Sequence, residues 1–233
     1  MRRNNPDLFS RVNNDNSETI KAYAFSLSYN RSWLKRAFSY VLTIPGLIII
    51  SPLLLLIALA IKLDSPGPVF FRHKRVGLNG MIFDIYKFRS MYHNADQVIH
   101  IAQIRAYAEG KLNEAEGVKL KYDPRITKVG RILRSTSLDE LPQLFNVLKG
   151  DMVLVGPRPV PVYEVELYKL WHSERLSTLP GITGLWQISG RSYVSFDEQL
   201  RLDICYIRTQ SIWLDIKILL KTVPAVISRR GAL

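Results

Sequence analysis

Residues 37–61, AFSYVLTIPGLIIISPLLLLIALAI, contain no charged side chain. As a straight helix this run would reach about 37 Å at ~1.5 Å per residue, more than the ~30 Å hydrocarbon core of a bilayer. A helix of a water-soluble domain normally keeps a polar face over such a length, so a buried core helix accounts poorly for it. The stretch points to a membrane and leaves two topologies open. Pro45 and Pro52 interrupt it, with Ser51–Pro52 near the middle. An interior proline removes a backbone hydrogen bond, and a serine hydroxyl can satisfy the freed carbonyl. Arg31, Lys35 and Arg36 precede the run; Lys62, Arg72, Lys74 and Arg75 follow it. Basic flanks favour the cytoplasm. A re-entrant helix that turns back at Ser51–Pro52 satisfies both flanks, whereas a proline-kinked span satisfies one. The expected organisation is a flexible polar tail over 1–32, a re-entrant helix-break-helix over 33–63, and a cytoplasmic domain over 64–233.

The remaining chain fits one ordinary domain. Its 32 basic and 20 acidic residues leave a formal charge of +12, which suits a polyanionic partner: nucleic acid, anionic membrane lipid or phosphorylated substrate. No nucleic-acid recognition motif is present, and the apolar run argues against that partner. A single cysteine, Cys205, excludes an intrachain disulfide and a cysteine-based zinc site. His73, His93, His100 and His172 lack metal-ligand spacing. The N-terminus has no signal-peptide pattern.

Patterning predicts an α+β domain, mostly helical with a small sheet. Short strands are expected over 69–71 and 82–88, joined by a basic Gly/Asn turn over 73–80. Helices are expected over 94–122, 127–133, 141–148 (stopped at Gly150) and 160–176, with a Gly-rich loop over 180–191. In a last helix over 212–227, Trp213, Ile216, Leu220, Val223 and Ile227 fall at helical spacing. That face suits packing on the core or lying in the membrane interface.

Residues 123–159 are richest in chemistry. Arg125, Lys128, Arg131 and Arg134 recur every third position, as a solvated face or a phosphate-binding stripe. Asp139 and Glu140 are adjacent just before a helix. Ser137-Leu138-Asp139-Glu140 has the form of a capping box, and Asp139 could itself be the cap. The same placement keeps a carboxylate ionised, able to attack phosphorus or bind a hard cation. Gly156-Pro157-Arg158-Pro159 presents one guanidinium on a stiff turn, either structural or suited to bidentate phosphate contact.

In order along the chain stand Ser65-Pro66-Gly67-Pro68, Lys74-Arg75-Val76-Gly77, Tyr86-Lys87-Phe88-Arg89-Ser90-Met91, Ser137-Leu138-Asp139-Glu140-Leu141-Pro142-Gln143-Leu144, Asn146-Val147-Leu148-Lys149-Gly150-Asp151-Met152, Val155-Gly156-Pro157-Arg158-Pro159, and Pro180-Gly181-Ile182-Thr183-Gly184 with Trp186-Gln187. With these strings, roughly residues 33–227 resemble the monotopic phosphoglycosyl transferases, also called bacterial sugar transferases, in their compact form. The resemblance implies transfer of a sugar-1-phosphate from a UDP-sugar to polyprenyl (undecaprenyl) phosphate, with release of UMP. It implies Asp139 as nucleophile, forming an aspartyl-phosphosugar intermediate, and Glu140 as a helper in binding Mg²⁺ or moving a proton. Both acids are then the expected metal ligands. Lys87, Arg89, Arg134 and Arg158 are expected at the phosphates or nucleotide, and Asp215, in Trp213-Leu214-Asp215-Ile216-Lys217, at the substrate. The family's re-entrant helix breaks at a Ser-Pro pair, here Ser51–Pro52. The implied location is the cytoplasmic face of a bacterial inner membrane, with downstream glycosyltransferases as partners. Family habit points to glucose or galactose, in exopolysaccharide, capsule, O-antigen or glycoprotein assembly. Ser90 and Val153 depart from the commonest family residues (Thr and Ser) without touching a proposed catalytic group. A non-catalytic basic anchor or scaffold is the alternative function.

Overall fold

The computed structural model describes residues 17–93, 98–111, 123–189 and 194–227, with backbone alone for 17–32, 98–100 and 227. Residues 1–16 of the expected tail, 94–97 and all of 112–122 of the expected helix, and the end of the expected Gly-rich loop lie outside the described residues.

One long helix, α1 (Ser17–Asp64), dominates the N-terminal part. It begins inside the stretch expected to be a flexible tail. Residues 17–32 hold neither proline nor glycine, and a helix already nucleated by the apolar run extends at little cost. The backbone also stays helical through Pro45 and Pro52, so the expected helix-break-helix is not a loss of helical conformation. Pro52 cannot donate to the carbonyl of Ile48, and the Ser51 hydroxyl donates to it instead at 2.8 Å.

The helix is not a core helix. Over Trp33–Asp64 the most apolar stretch is only 11% buried, and Ile49 and Leu55 are 77% and 72% exposed. Burial is confined to two feet. At the first, the Lys35 ammonium donates to Val155 O at 3.3 Å and to the Tyr206 hydroxyl, and Arg36 donates to Gly150 O at 3.0 Å. At the second, Ile57 and Ile61 pack with Phe88 and Leu133. Between them no residue from Ile44 to Leu56 is buried.

The domain begins with β1 (Phe70–Val76) and β2 (Ile82–Phe88), antiparallel about a tight turn at Leu78–Gly80. With β4 (Val160–Pro161) they form a sheet of order β2-β1-β4. β3 (Val153–Val155) and β5 (Gly181–Thr183) pair in parallel. Helices α2 (Val98–Ala108), α3 (Lys128–Ser135), α4 (Gln143–Leu148), α5 (Val162–Val165), α6 (Leu185–Ser189), α7 (Phe196–Thr209) and α8 (Ile212–Ile227) complete the described elements. The α+β class holds.

Several boundaries differ from the pattern. β1 extends through the basic residues expected in the turn, because alternation places Arg72 and Lys74 on the open side. The helix expected over 94–122 is described only as α2, which ends before Gly110 (φ 69°). The helix expected over 160–176 is divided into β4, α5 and a 3₁₀ segment at Leu170–Ser177. Pro159 and Pro161 keep the chain extended before Val162. The loop expected over 180–191 holds β5 and α6. Helix α7, capped by Ser195 onto Glu198 N, was not marked by sequence patterning.

α8 forms where it was expected, and one of its faces packs on the core. Asp215 and Ile218 are buried against the domain, while Trp213 is 81% and Leu220 70% exposed on the other face.

Candidate active site

The site is assembled by α4 docking on the edge strand β2. Asn146 accepts from Tyr86 N at 2.9 Å and donates to Asp84 O at 2.7 Å, so its buried amide completes the strand's open edge like a neighbouring strand. That clasp holds the start of α4 against Lys87. The chain enters through Ser137, a left-handed residue with φ 58°, and makes one 3₁₀ turn at Leu138–Glu140. A non-glycine residue there carries strain, and such strain gathers at functional sites.

The turn does not serve as a capping box. Ser137 makes no cap hydrogen bond. Glu140 reaches across the site: it accepts from Lys87 Nζ at 2.9 Å and from both terminal nitrogens of Arg158, at 2.5 and 3.1 Å. Asp139 stands apart, with Lys87 Nζ at 3.9 Å and no hydrogen bond to its carboxylate among the described residues. Burial alone would push the Glu140 carboxyl up, but Arg158 and Lys87 outweigh it and hold it well below the usual carboxylate range. Asp139 goes the other way: burial raises it, Lys87 opposes, and the Glu140 charge adds to the rise. The site thus pairs a clamped, ionised Glu140 with an unclamped, more basic Asp139.

Arg158 arrives on the Gly156–Pro159 turn, which is pressed against Pro180–Gly181. A Cβ on Gly181 would fall 2.0 Å from Gly156 N, so only glycine allows the approach. Gly181 N donates to Pro157 O at 2.8 Å. Behind the turn, buried Arg175 donates to Arg158 O at 3.1 Å and pairs with Asp203 at 2.7 Å and Glu164 at 3.3 Å. Neither Asn146 nor Arg175 was singled out from sequence. Both are long-range supports, and only their polarity inside otherwise apolar stretches hinted at them.

Of the expected substrate contacts, the structure brings Lys87 and Arg158 to the dyad. Arg134, half-buried in the last turn of α3, lies close enough for its charge to act on Asp139. Arg89 is a correction. It is buried, and its guanidinium donates to the carbonyls of Ile61, Ser65 and Pro66 at 3.3, 2.6 and 2.6 Å. It caps the end of α1, where orphan carbonyls require donors. Asp215 is a second correction. It accepts from the Tyr206 hydroxyl at 2.6 Å and faces Lys35 at 3.8 Å, at the first foot of α1. The periodic basic stripe also divides: Arg125 lies before α3 and pairs with Asp123, while Lys128 and Arg131 are exposed.

Among the described residues no group of three or more His, Cys, Asp or Glu gathers to hold a metal. Asp139 and Glu140 alone suit Mg²⁺, which takes one or two carboxylates and completes its shell with water and substrate phosphates. They do not suit a closed structural site.

A family model described as bacterial sugar transferase matches residues 30–229. The chain belongs to the bacterial sugar transferase family. It is 47% identical over 203 residues to the undecaprenyl-phosphate galactose phosphotransferase of Salmonella typhimurium, covering 86% of this chain and 42% of that protein. It is 43% identical over 201 residues to the exopolysaccharide production protein ExoY of Sinorhizobium fredii, covering 85% and 87%. A third sugar transferase relative, the UDP-glucose:undecaprenyl-phosphate glucose-1-phosphate transferase of Caulobacter vibrioides, is 43% identical over 190 residues, covering 78% and 65%. The chain therefore spans less than half of the Salmonella protein and most of the Sinorhizobium one.

Proposed function

We propose that this chain transfers a sugar-1-phosphate from a UDP-sugar to polyprenyl phosphate at the cytoplasmic face of a bacterial inner membrane. The observation that carries this is the unequal dyad: Glu140 is held ionised by Lys87 and Arg158, and Asp139 is left unbonded and more basic beside it. An oxygen of Asp139 attacks the sugar-linked phosphorus. A new aspartyl O–P bond forms, the bridging P–O bond breaks, and UMP leaves with the bonding electrons. A phosphate oxygen of the acceptor then attacks the same phosphorus, the aspartyl O–P bond breaks, and polyprenyl-diphosphate-sugar departs from a regenerated carboxylate. Lys87 and Arg158 orient Glu140 and meet phosphate oxygens; Arg134 adds positive charge at the mouth. Mg²⁺ held by Asp139 and Glu140 together with donor phosphates would neutralise charge on the diphosphate. The relatives' printed names, with galactose and glucose donors and an undecaprenyl-phosphate acceptor, support this assignment and favour a hexose donor in surface-polysaccharide assembly.

The membrane topology is proposed on the same footing. Arg36 and Ile57 would lie about 31 Å apart on a straight helix. Their anchors, Gly150 and the Leu141 side of the second apolar cluster, are nine residues apart, about 13 Å at helical rise. A bend about Pro45 and Pro52 brings the feet together and leaves the exposed apolar middle in one leaflet, with both basic flanks in the cytoplasm.

A panel of UDP-sugars, with polyprenyl phosphate and Mg²⁺ in detergent, scored by UMP release, tests the assignment. UMP is expected from UDP-glucose or UDP-galactose. Lipid binding without UMP from any donor would instead make the chain a scaffold.

A further inference from the structure

Arg75 has no part in the machinery described so far, yet it belongs to the same surface. Side chains alternate along β1, so Phe71, His73 and Arg75 share a face, and the register Phe71↔Lys87 places Lys87 on it too. Phe71 and Arg75 are four residues apart, about 13 Å of extended chain. Glu140 and Arg158 connect the two ends. Glu140 accepts from Lys87 and Arg158, and the Arg158 charge acts directly on Arg75.

Arg75 is under-used for a guanidinium in this position. Its NH1 donates to Pro159 O at 3.3 Å, its Nε is buried without a partner, and no carboxylate lies within 4.0 Å of it among the described residues. Burial, reinforced by Arg158 and only partly opposed by the charges of Glu164, Tyr163 and Glu140, pushes it down to about 10. The two buried arginines, whose Nε atoms likewise lack a hydrogen bond, have denser partners at their other nitrogens or in ion pairs: Arg175 has Asp203 and Glu164, and Arg89 has three carbonyls. A half-buried guanidinium with no carboxylate in direct contact leaves room for an anion to complete it, and phosphate offers both the charge and the paired acceptors that fit its fork.

We propose that Arg75 binds a phosphate oxyanion of a substrate, forming a second anion seat at the opposite end of the site from Lys87. The inference rests on the transferase function proposed above. That reaction handles three phosphates, two on the donor and one on the acceptor, while Lys87 and Arg158 are already partly engaged by Glu140. Either the donor diphosphate or the acceptor monoester has the required chemistry.

The test uses full-length protein in detergent, first checked for wild-type UMP release, whose absence would sink the function rather than this inference. Inorganic pyrophosphate and uridine are then compared as inhibitors in wild type, Arg75→Gln and Arg75→Lys. Arg75→Gln is expected to weaken pyrophosphate inhibition tenfold or more and leave uridine unchanged, with Arg75→Lys restoring part of the loss. In two-step transfer kcat/KM for each substrate reports its own half-reaction. A drop confined to the donor assigns its diphosphate, a drop confined to the acceptor assigns the lipid phosphate, and a drop in both means that the seat is used in turn. Three results overturn the inference: unchanged pyrophosphate inhibition, equal weakening of pyrophosphate and uridine, or unchanged kcat/KM for both substrates. Equal weakening would make Arg75 only a support of the Pro159 turn.

Discussion

At the scale of single residues, the site works by giving two neighbouring carboxylates opposite surroundings. In the proposed mechanism Asp139 must be ionised to attack, and its folded-state pKa lies above the ordinary 3.8 because burial outweighs Lys87. Activity is therefore lost as pH falls through that raised value, earlier than an ordinary aspartate would dictate. Lys87 holds Asp139 down, so Lys87→Met should move the acid limb of the donor kcat/KM profile to higher pH, besides lowering its plateau. A limb that stays in place would remove Lys87 from the electrostatics of the nucleophile. Glu140 has the reverse linkage: its folded pKa is depressed, so its contribution to stability is present above the ordinary 4.5 and lost only as pH falls through the lower value. The dyad, Lys87 and Arg158 were legible in the sequence because they are local strings with a family likeness. Arg89 and Asp215 were misplaced for the same reason. A recurring string marks a residue as needed without saying whether it meets substrate or a helix end.

At the scale of elements, periodicity found the pieces that are long and regular: α1, the β1–β2 hairpin, α3 and α8. It failed between Val160 and Ser177, where prolines and a 3₁₀ segment replace an expected helix. α7 was missed because its buried face includes Asp203, a polar residue explained only by distant Arg175. At Ser51–Pro52, where the sequence suggests a break, the helix continues because Ser51 bonds the carbonyl that Pro52 leaves free. Restoring that bond should straighten the membrane helix. In Ser51→Leu/Pro52→Leu, an N-terminal cysteine tag should become reachable by an impermeant thiol reagent in intact cells, while the wild-type tag stays protected. Labelling of the wild-type tag would mean a spanning helix.

At the scale of the whole molecule, both feet of α1, the C-terminal helix and the catalytic turn converge on a few shared contacts. Lys35 and Tyr206 meet at Val155 O, directly before the turn that carries Arg158. Asp64, at the far end of α1, accepts from Val129 N at 3.0 Å and so fixes the start of α3 below the dyad. The long apolar helix is therefore built into the frame of the site, as suits the proposed transfer to a lipid acceptor. The most direct measurement is intact-mass analysis of protein quenched after exposure to UDP-sugar and Mg²⁺ without acceptor. The account predicts a mass increase of one phosphosugar, localised to Asp139, discharged on adding polyprenyl phosphate and absent from Asp139→Asn. An Asp139→Asn enzyme with wild-type turnover, or an adduct that forms on another residue, would contradict it.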